Sequence, residues 1–193
     1  MSALTIMLVR HAEKPGGAFP GPGLTPEGEE DDKSLVVRGW QRAGAWAALF
    51  GTAALSDYPR ANVIYAASPK PVSKKASYSH RPFETAGPTA ARLNLDVQAK
   101  WGVGEETDLV AELLRLTGVV LVFWEHKHIC EEIIPALRGD QPLPGLPTKW
   151  DGERFDVVLR FDRALPDAPW SFRQLSPCLL SGDSDKPFAD RES

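Results

Sequence analysis

The chain has 193 residues, 42% of them hydrophobic and 25% charged, with a formal net charge of −4. That length suits one domain with a substantial core, and the mildly acidic balance excludes a broad nucleic-acid-binding face. No apolar stretch approaches the length of a membrane span, and the first apolar run lacks the basic leader of a secretory signal. The two cysteines, Cys130 and Cys178, have no metal-ligand spacing, fit a reducing compartment and leave a single bond between them open. The expectation is a cytoplasmic protein with no nucleic-acid or membrane partner.

Leu4-Thr5-Ile6-Met7-Leu8-Val9 is a short apolar run and predicts a buried strand. Arg10 and His11 stand at its end, ahead of the turn signal Pro15-Gly16-Gly17. Residues 12–34 are rich in glycine, proline and acid and predict a long surface loop. Gly21 and Gly23 do not form a dinucleotide fingerprint, because Pro22 separates them and no helix opens there. Arg38 to Phe50 repeats Trp40, Ala43, Ala47 and Phe50 at helical spacing, with Gly51 as the stop. Asn62 to Ala67 predicts a second strand, followed by Ser68-Pro69 and a basic loop carrying Lys70, Lys74, Lys75, His80 and Arg81. Pro82 suits the first turn of a helix that runs to about Leu93 and bends at Pro88.

Leu95 to Gln98 predicts a short third strand, and Glu105 to Leu116 a helix with Leu109, Leu113 and Leu116 on one face. Val119 to Trp124 is continuously apolar, as a central strand buried on both faces should be. Glu125-His126-Lys127-His128 follows directly, then a helix with Ile129, Ile133, Ile134 and Leu137 and an internal Pro135. A proline-rich connection leads to two more strands, Phe155 to Phe161 and Trp170 to Leu175, and the polar tail from Ser181 is expected to be loose. This alternation predicts an α/β fold, a three-layer α/β/α sandwich around a mainly parallel sheet. It is one domain over residues 1–193, with a loop insertion at 12–34, extra strands within 150–180 and a tail at 181–193.

Arg10 and His11 follow the first strand, Arg81 the second, and His126 the fourth. In a parallel sheet these ends share one edge, where ligand sites form. Two arginines and two histidines around one point suit a phosphate, because each guanidinium matches phosphate oxygens in pairs. The helix after Arg81 would add backbone N–H donors. One histidine could attack the phosphoryl group while the other donates a hydrogen bond to it.

Leu8-Val9-Arg10-His11-Ala12-Glu13 resembles the signature of the histidine phosphatase superfamily, with its phosphoglycerate mutase-like fold, although Ala12 stands where a glycine is usual. Arg38-Gly39-Trp40-Gln41-Arg42-Ala43, Ser68-Pro69, Arg81-Pro82-Phe83-Glu84-Thr85-Ala86 and Val120 to His126 are similar to its later motifs, in order, over roughly residues 4–138. The interval from Ser68 to Arg81 is longer than usual and carries Lys70, Lys74 and Lys75. The resemblance implies a phosphatase acting on a phosphomonoester or phosphoprotein through a phosphohistidine on His11. Arg10 and Arg81 would clamp the phosphoryl oxygens, and His126 would stabilise the transition state, without a metal or other cofactor. Arginines near His11 disfavour its protonated form and leave a ring nitrogen free to attack.

In the mutase-like branch an acid in the region of Glu105 and Glu106 donates the proton, so Glu105 is the first candidate, with Glu106, Glu125 and Glu13 behind it. His80, beside Arg81, is a further candidate for phosphate contact, and Lys74 and Lys75 could favour polyanionic substrates. His126 and His128, two residues apart, would not share a helix face, and no acid–histidine cluster completes a metal site. Two other readings stand: a phosphomutase of the same family, put in doubt by Lys14-Pro15-Gly16-Gly17 where mutases usually carry a Trp-Asn pair, and a low-turnover phosphate-binding regulatory module.

Overall fold

The structure, a computed structural model, describes residues 3–52, 55–74 and 76–188. One six-stranded sheet runs in the order β3-β2-β4-β1-β5-β6. Its strands are β1 (Leu4–Arg10), β2 (Val63–Ala66), β3 (Val97–Gln98), β4 (Gly118–Trp124), β5 (Val158–Arg163) and β6 (Ser171–Leu175). The first four are parallel, while β5 pairs antiparallel with β1 and β6 antiparallel with β5. The sheet is therefore mainly parallel with an antiparallel edge, a common way for a doubly covered sheet to end.

Side-chain alternation along the two central strands builds the core. Leu4, Ile6 and Leu8 of β1 join Val120, Val122 and Trp124 of β4 on one face, against Leu109, Leu113, Ile133 and Leu137. Met7 and Val9 join Leu121 and Phe123 on the other face, against Trp46, Phe50, Ala86 and Leu93. Because successive side chains point to opposite faces, Ile6 to Val9 of β1 and Val120 to Trp124 of β4 can be apolar at every position and still be buried. The helices that cover these faces are α1 (Val37–Thr52) and α2 (Arg81–Leu93) on one side, and α3 (Glu106–Leu113) with the segment after β4 on the other.

The elements differ from the sequence expectation in bounded ways. Helix α1 runs past Gly51 to Thr52, and Trp46, buried and stacked on Phe50 with ring centroids 5.6 Å apart, anchors it more than half-buried Trp40 does. Helix α2 continues through Pro88 and stops at Asn94, whose left-handed backbone (φ 56°) closes its end. The helix after β4 is three pieces: α4 (His126–His128), a π-helical turn over Ile129–Ile133 and α5 (Ile134–Arg138). Pro135 lies in the first turn of α5, directly after the π-helical turn. Strand β5 begins at Val158 rather than Phe155, because residues 151–155 bend around the Arg10 side chain.

Residues 181–188 of the tail are docked rather than loose. Asp183 pairs with Arg42 at 2.8 Å, Ser184 N–H donates to Asp156 Oδ2, and the buried Phe188 ring meets Trp150 with centroids 4.9 Å apart. Residues 189–193 and Lys75 lie outside the described residues. Cys130 is buried and Cys178 exposed, both as free thiols. Among the described residues no helix is long and apolar enough to cross a membrane.

Candidate active site

The register of the central strands assembles the site. Arg10 is paired with Trp124, so the next residues of each strand, His11 and Glu125-His126, leave the sheet at the same level. The backbone N–H of His11 still donates to the Trp124 carbonyl at 2.9 Å. The two imidazoles meet edge to face with centroids 6.4 Å apart. A cavity of about 170 Å³ opens above them, lined by His11, Lys14, Tyr78, Arg81, Glu125 and His126 among others.

His11 is 4% exposed. Its Nδ1 lies 2.7 Å from the Ala12 carbonyl oxygen. A carbonyl only accepts, so Nδ1 carries the hydrogen and Nε2 keeps its lone pair. Burial, then the positive charge of Arg10 and of Arg81, hold the His11 pKa down to about 3 against the hydrogen bond to Ala12. The ring is therefore neutral at ordinary pH.

Arg81 opens α2 and lines the cavity. Its Nε donates to Ser79 Oγ at 3.0 Å and to the Lys33 carbonyl at 3.3 Å, which aims the guanidinium. The Thr85 hydroxyl donates to the Arg81 carbonyl at 2.7 Å and accepts the Ala12 N–H at 2.9 Å, so it ties the His11 loop to the helix that carries Arg81. One turn away, Glu84 accepts Ser34 Oγ at 2.6 Å and the Leu35 N–H at 2.9 Å and closes the 12–34 loop onto α2. Helix α1 comes equally close: a Cβ on Gly39 would sit 2.5 Å from the Glu13 carbonyl, so only glycine allows that approach. Thr85 and Glu84 have no role in the sequence reading. Their signal was their spacing of four and three residues from Arg81, which puts all three on one helix face.

Arg10 is buried beside His11 but is not among the residues lining the cavity. Its Nη1 donates to the carbonyls of Gly152 at 2.7 Å and Arg154 at 3.0 Å, and its guanidinium carbon lies 3.8 Å above the Phe155 ring. Burial lowers its pKa to about 10, opposed by Glu125, Glu153, Glu13 and Asp151. Arg10 keeps its charge at neutral pH and acts on His11 through its field.

Glu105 is not brought to the cavity. Its carboxylate accepts the Gly102 N–H at 3.0 Å, and the residue caps α3. Glu106 is buried under the end of β4, where it accepts Trp124 Nε1–H at 2.9 Å and the Gly104 N–H at 3.0 Å. Glu13 faces away, salt-bridged to Arg42 at 2.8 Å. The carboxylate that does reach the cavity is Glu125: Oε1 lies 2.7 Å from His126 Nδ1, and Oε2 accepts the His128 N–H at 3.1 Å. Burial alone would raise the Glu125 pKa, but the contacts with His126 and the His128 N–H outweigh it and hold it at about 2. His80 turns to Asp31, with Nδ1 3.1 Å from Oδ2, and does not line the cavity. Lys74 is exposed and away from it. Among the described residues there is no group of three or more histidines, cysteines and carboxylates placed to hold a metal ion.

The fold is phosphoglycerate mutase-like, as its likeness to solved structures shows. It matches a mycobacterial glucosyl-3-phosphoglycerate phosphatase at 13% identity and a TM-score of 0.55, over 90% of this chain and 98% of that one. It matches a protein of Agrobacterium tumefaciens assigned as the phosphohistidine phosphatase SixA at 18% identity and a TM-score of 0.54, over 90% and 98%. It also matches mycobacterial hydrolase 2 at 14% identity and a TM-score of 0.51, over 90% of each chain. No protein-family model matches the sequence, and no curated protein matches it.

Proposed function

We propose that this chain is a phosphatase that hydrolyses phosphomonoesters through a phosphohistidine on His11. The observation that carries the reading is the His11 imidazole itself, neutral, with Nδ1–H held by the Ala12 carbonyl and Nε2 unprotonated, in one cavity with Arg81, His126 and a carboxylate. Phosphoryl transfer needs positioning and charge stabilisation above all, and Arg81, His126 and the field of Arg10 supply these without a metal.

In the first step Nε2 attacks phosphorus, the ester P–O bond breaks, and the departing oxygen takes a proton. Glu125 is the acid placed to give it. A phosphate dianion arriving beside this carboxylate raises its proton affinity by like-charge repulsion, so substrate binding loads Glu125 with the proton that it then donates. In the second step water attacks phosphorus, its proton returns to Glu125, and the N–P bond breaks to release phosphate and restore neutral His11.

The test is trapping. Incubation with a ³²P-labelled phosphomonoester should give an acid-labile, base-stable phosphoenzyme, and His11→Ala should give none. Turnover that survives in His11→Ala overturns the assignment. Phosphate binding without label or release would favour the regulatory module instead.

A further inference from the structure

Glu106 is a buried carboxylate that the chemistry above does not use. It opens α3 under the end of β4 and is 4% exposed. Three groups converge on its Oε1: Trp124 Nε1–H at 2.9 Å, the Gly104 N–H at 3.0 Å and the His128 ring, whose Nδ1 lies 3.1 Å away. An ionised carboxylate only accepts, so His128 presents Nδ1–H to it. A buried carboxylate is costly unless such donors meet it. Trp124 is the last residue of β4, and its carbonyl takes the His11 N–H. Glu106 thus grips the chain on both sides of Glu125-His126, at Trp124 before them and at His128 after.

His128 carries two contacts at once. Its ring is tied to Glu106. Its backbone N–H donates to Glu125 Oε2 at 3.1 Å, and Oε1 of the same carboxylate lies 2.7 Å from His126 Nδ1. Helix α4 is three residues long and gives way at Ile129 to the π-helical turn. A single helical turn has no cooperative stability of its own, so its direction is set by what its side chains hold. Lys127 is exposed, with Glu131 3.9 Å away, and His126 lines the cavity. His128 is the residue of this turn that reaches back to α3.

We propose that His128, anchored on Glu106, is a positioning residue that aims the Glu125 carboxylate into the cavity. This rests on the phosphatase reading above, in which Glu125 delivers the proton to the departing oxygen. With the ring anchored, the His128 N–H stays at Oε2 and Glu125 keeps one arrangement, with Oε1 at His126. With the anchor gone, N–H and carboxylate move together with the freed turn, and the proton is less often in place when the ester bond breaks. Neither Glu106 nor His128 lines the cavity, so neither touches the substrate.

The test pairs His128→Leu, which removes the anchor, with His128→Asn, whose amide puts an N–H donor where Nδ1 stands. Two quantities are read in the full chain: hydrogen exchange of the backbone amide at position 128 by NMR, and the rate of phosphoenzyme formation from an alkyl phosphate and from p-nitrophenyl phosphate. His128→Leu should speed the amide exchange about tenfold. It should slow phosphoenzyme formation from the alkyl phosphate about tenfold and from p-nitrophenyl phosphate less than about twofold, because only the alkoxide needs the proton. His128→Asn should bring both quantities back to within about threefold of the unmodified protein. Unchanged exchange in His128→Leu, or no recovery in His128→Asn, overturns the anchor. Equal slowing on the two esters, or slowing on neither, overturns the positioning of Glu125 while leaving the phosphatase reading intact. An unmodified protein that forms no phosphoenzyme overturns the phosphatase reading, and the amide exchange still decides whether the His128 ring holds the N–H on Glu125.

Discussion

The Thr85 hydroxyl accepts the backbone N–H of Ala12 at 2.9 Å, and so fixes the first turn of α2 against the loop that holds His11. Both groups are fully buried. Thr85→Val keeps the shape and leaves the Ala12 N–H without a partner. We expect a loss of about 1–3 kcal/mol in stability and a rise in KM, as Arg81 and His11 lose their common tether. Denaturant melts and steady-state kinetics check this, and Thr85→Ser should recover most of both.

Glu125 and Glu105 separate cleanly by leaving group. Glu125→Gln should slow phosphoenzyme formation from an alkyl phosphate by about 10²-fold, the usual size of a lost general acid, and much less from p-nitrophenyl phosphate, whose leaving group needs no proton, while hydrolysis of the phosphoenzyme slows equally after both. Glu105→Gln should alter both rates by no more than a few-fold, since its carboxylate bonds the Gly102 N–H outside the cavity. The reverse ranking would return the acid to Glu105.

Acid should destabilise the fold in two overlapping windows. The His11 pKa falls from 6.5 to about 3 on folding, so between these values the unfolded chain binds a proton that the native one refuses. That of Glu125 falls from 4.5 to about 2, with the same sign. Stability is full above pH 6.5 and is lost as pH falls, with each group contributing a slope of at most about 1.4 kcal/mol per pH unit. Melting at pH 7, 5 and 4 should show the decline, and His11→Ala should flatten it above pH 4.5.

Arg42 lies between Glu13 and Asp183 at 2.8 Å from each, with all three side chains buried. Arg42→Met would strand two carboxylates, and we expect a loss of about 3–5 kcal/mol. Removing residues 181–193 should lower the melting temperature for the same reason, since Asp183 holds Arg42 and Arg154 donates to the carbonyls of Ser184 and Lys186. A truncated chain as stable as the full one would contradict the docked tail.

What the sequence by itself determined was local and repetitive: the apolar runs of β1 and β4, the helical spacing in α1, Pro82 at the start of α2, and hence the layered sheet and the strand ends that carry His11, Arg81 and His126. These follow from periodicity and from the rule that parallel strands share their ends, and both can be read along a single chain. Tertiary structure alone decided where the side chains there point. Glu105 and Glu125 look alike in sequence, yet a nearby backbone N–H takes one out of the cavity while the contact with His126 holds the other inside it. Arg10 stands next to His11 in the chain, but the bend at 151–155 takes its Nη1. The tail reads as loose because it is polar, and it is docked because Arg42, some 140 residues earlier, needs the charge of Asp183. A side chain's direction depends on the partner it meets, and those partners come from distant parts of the chain.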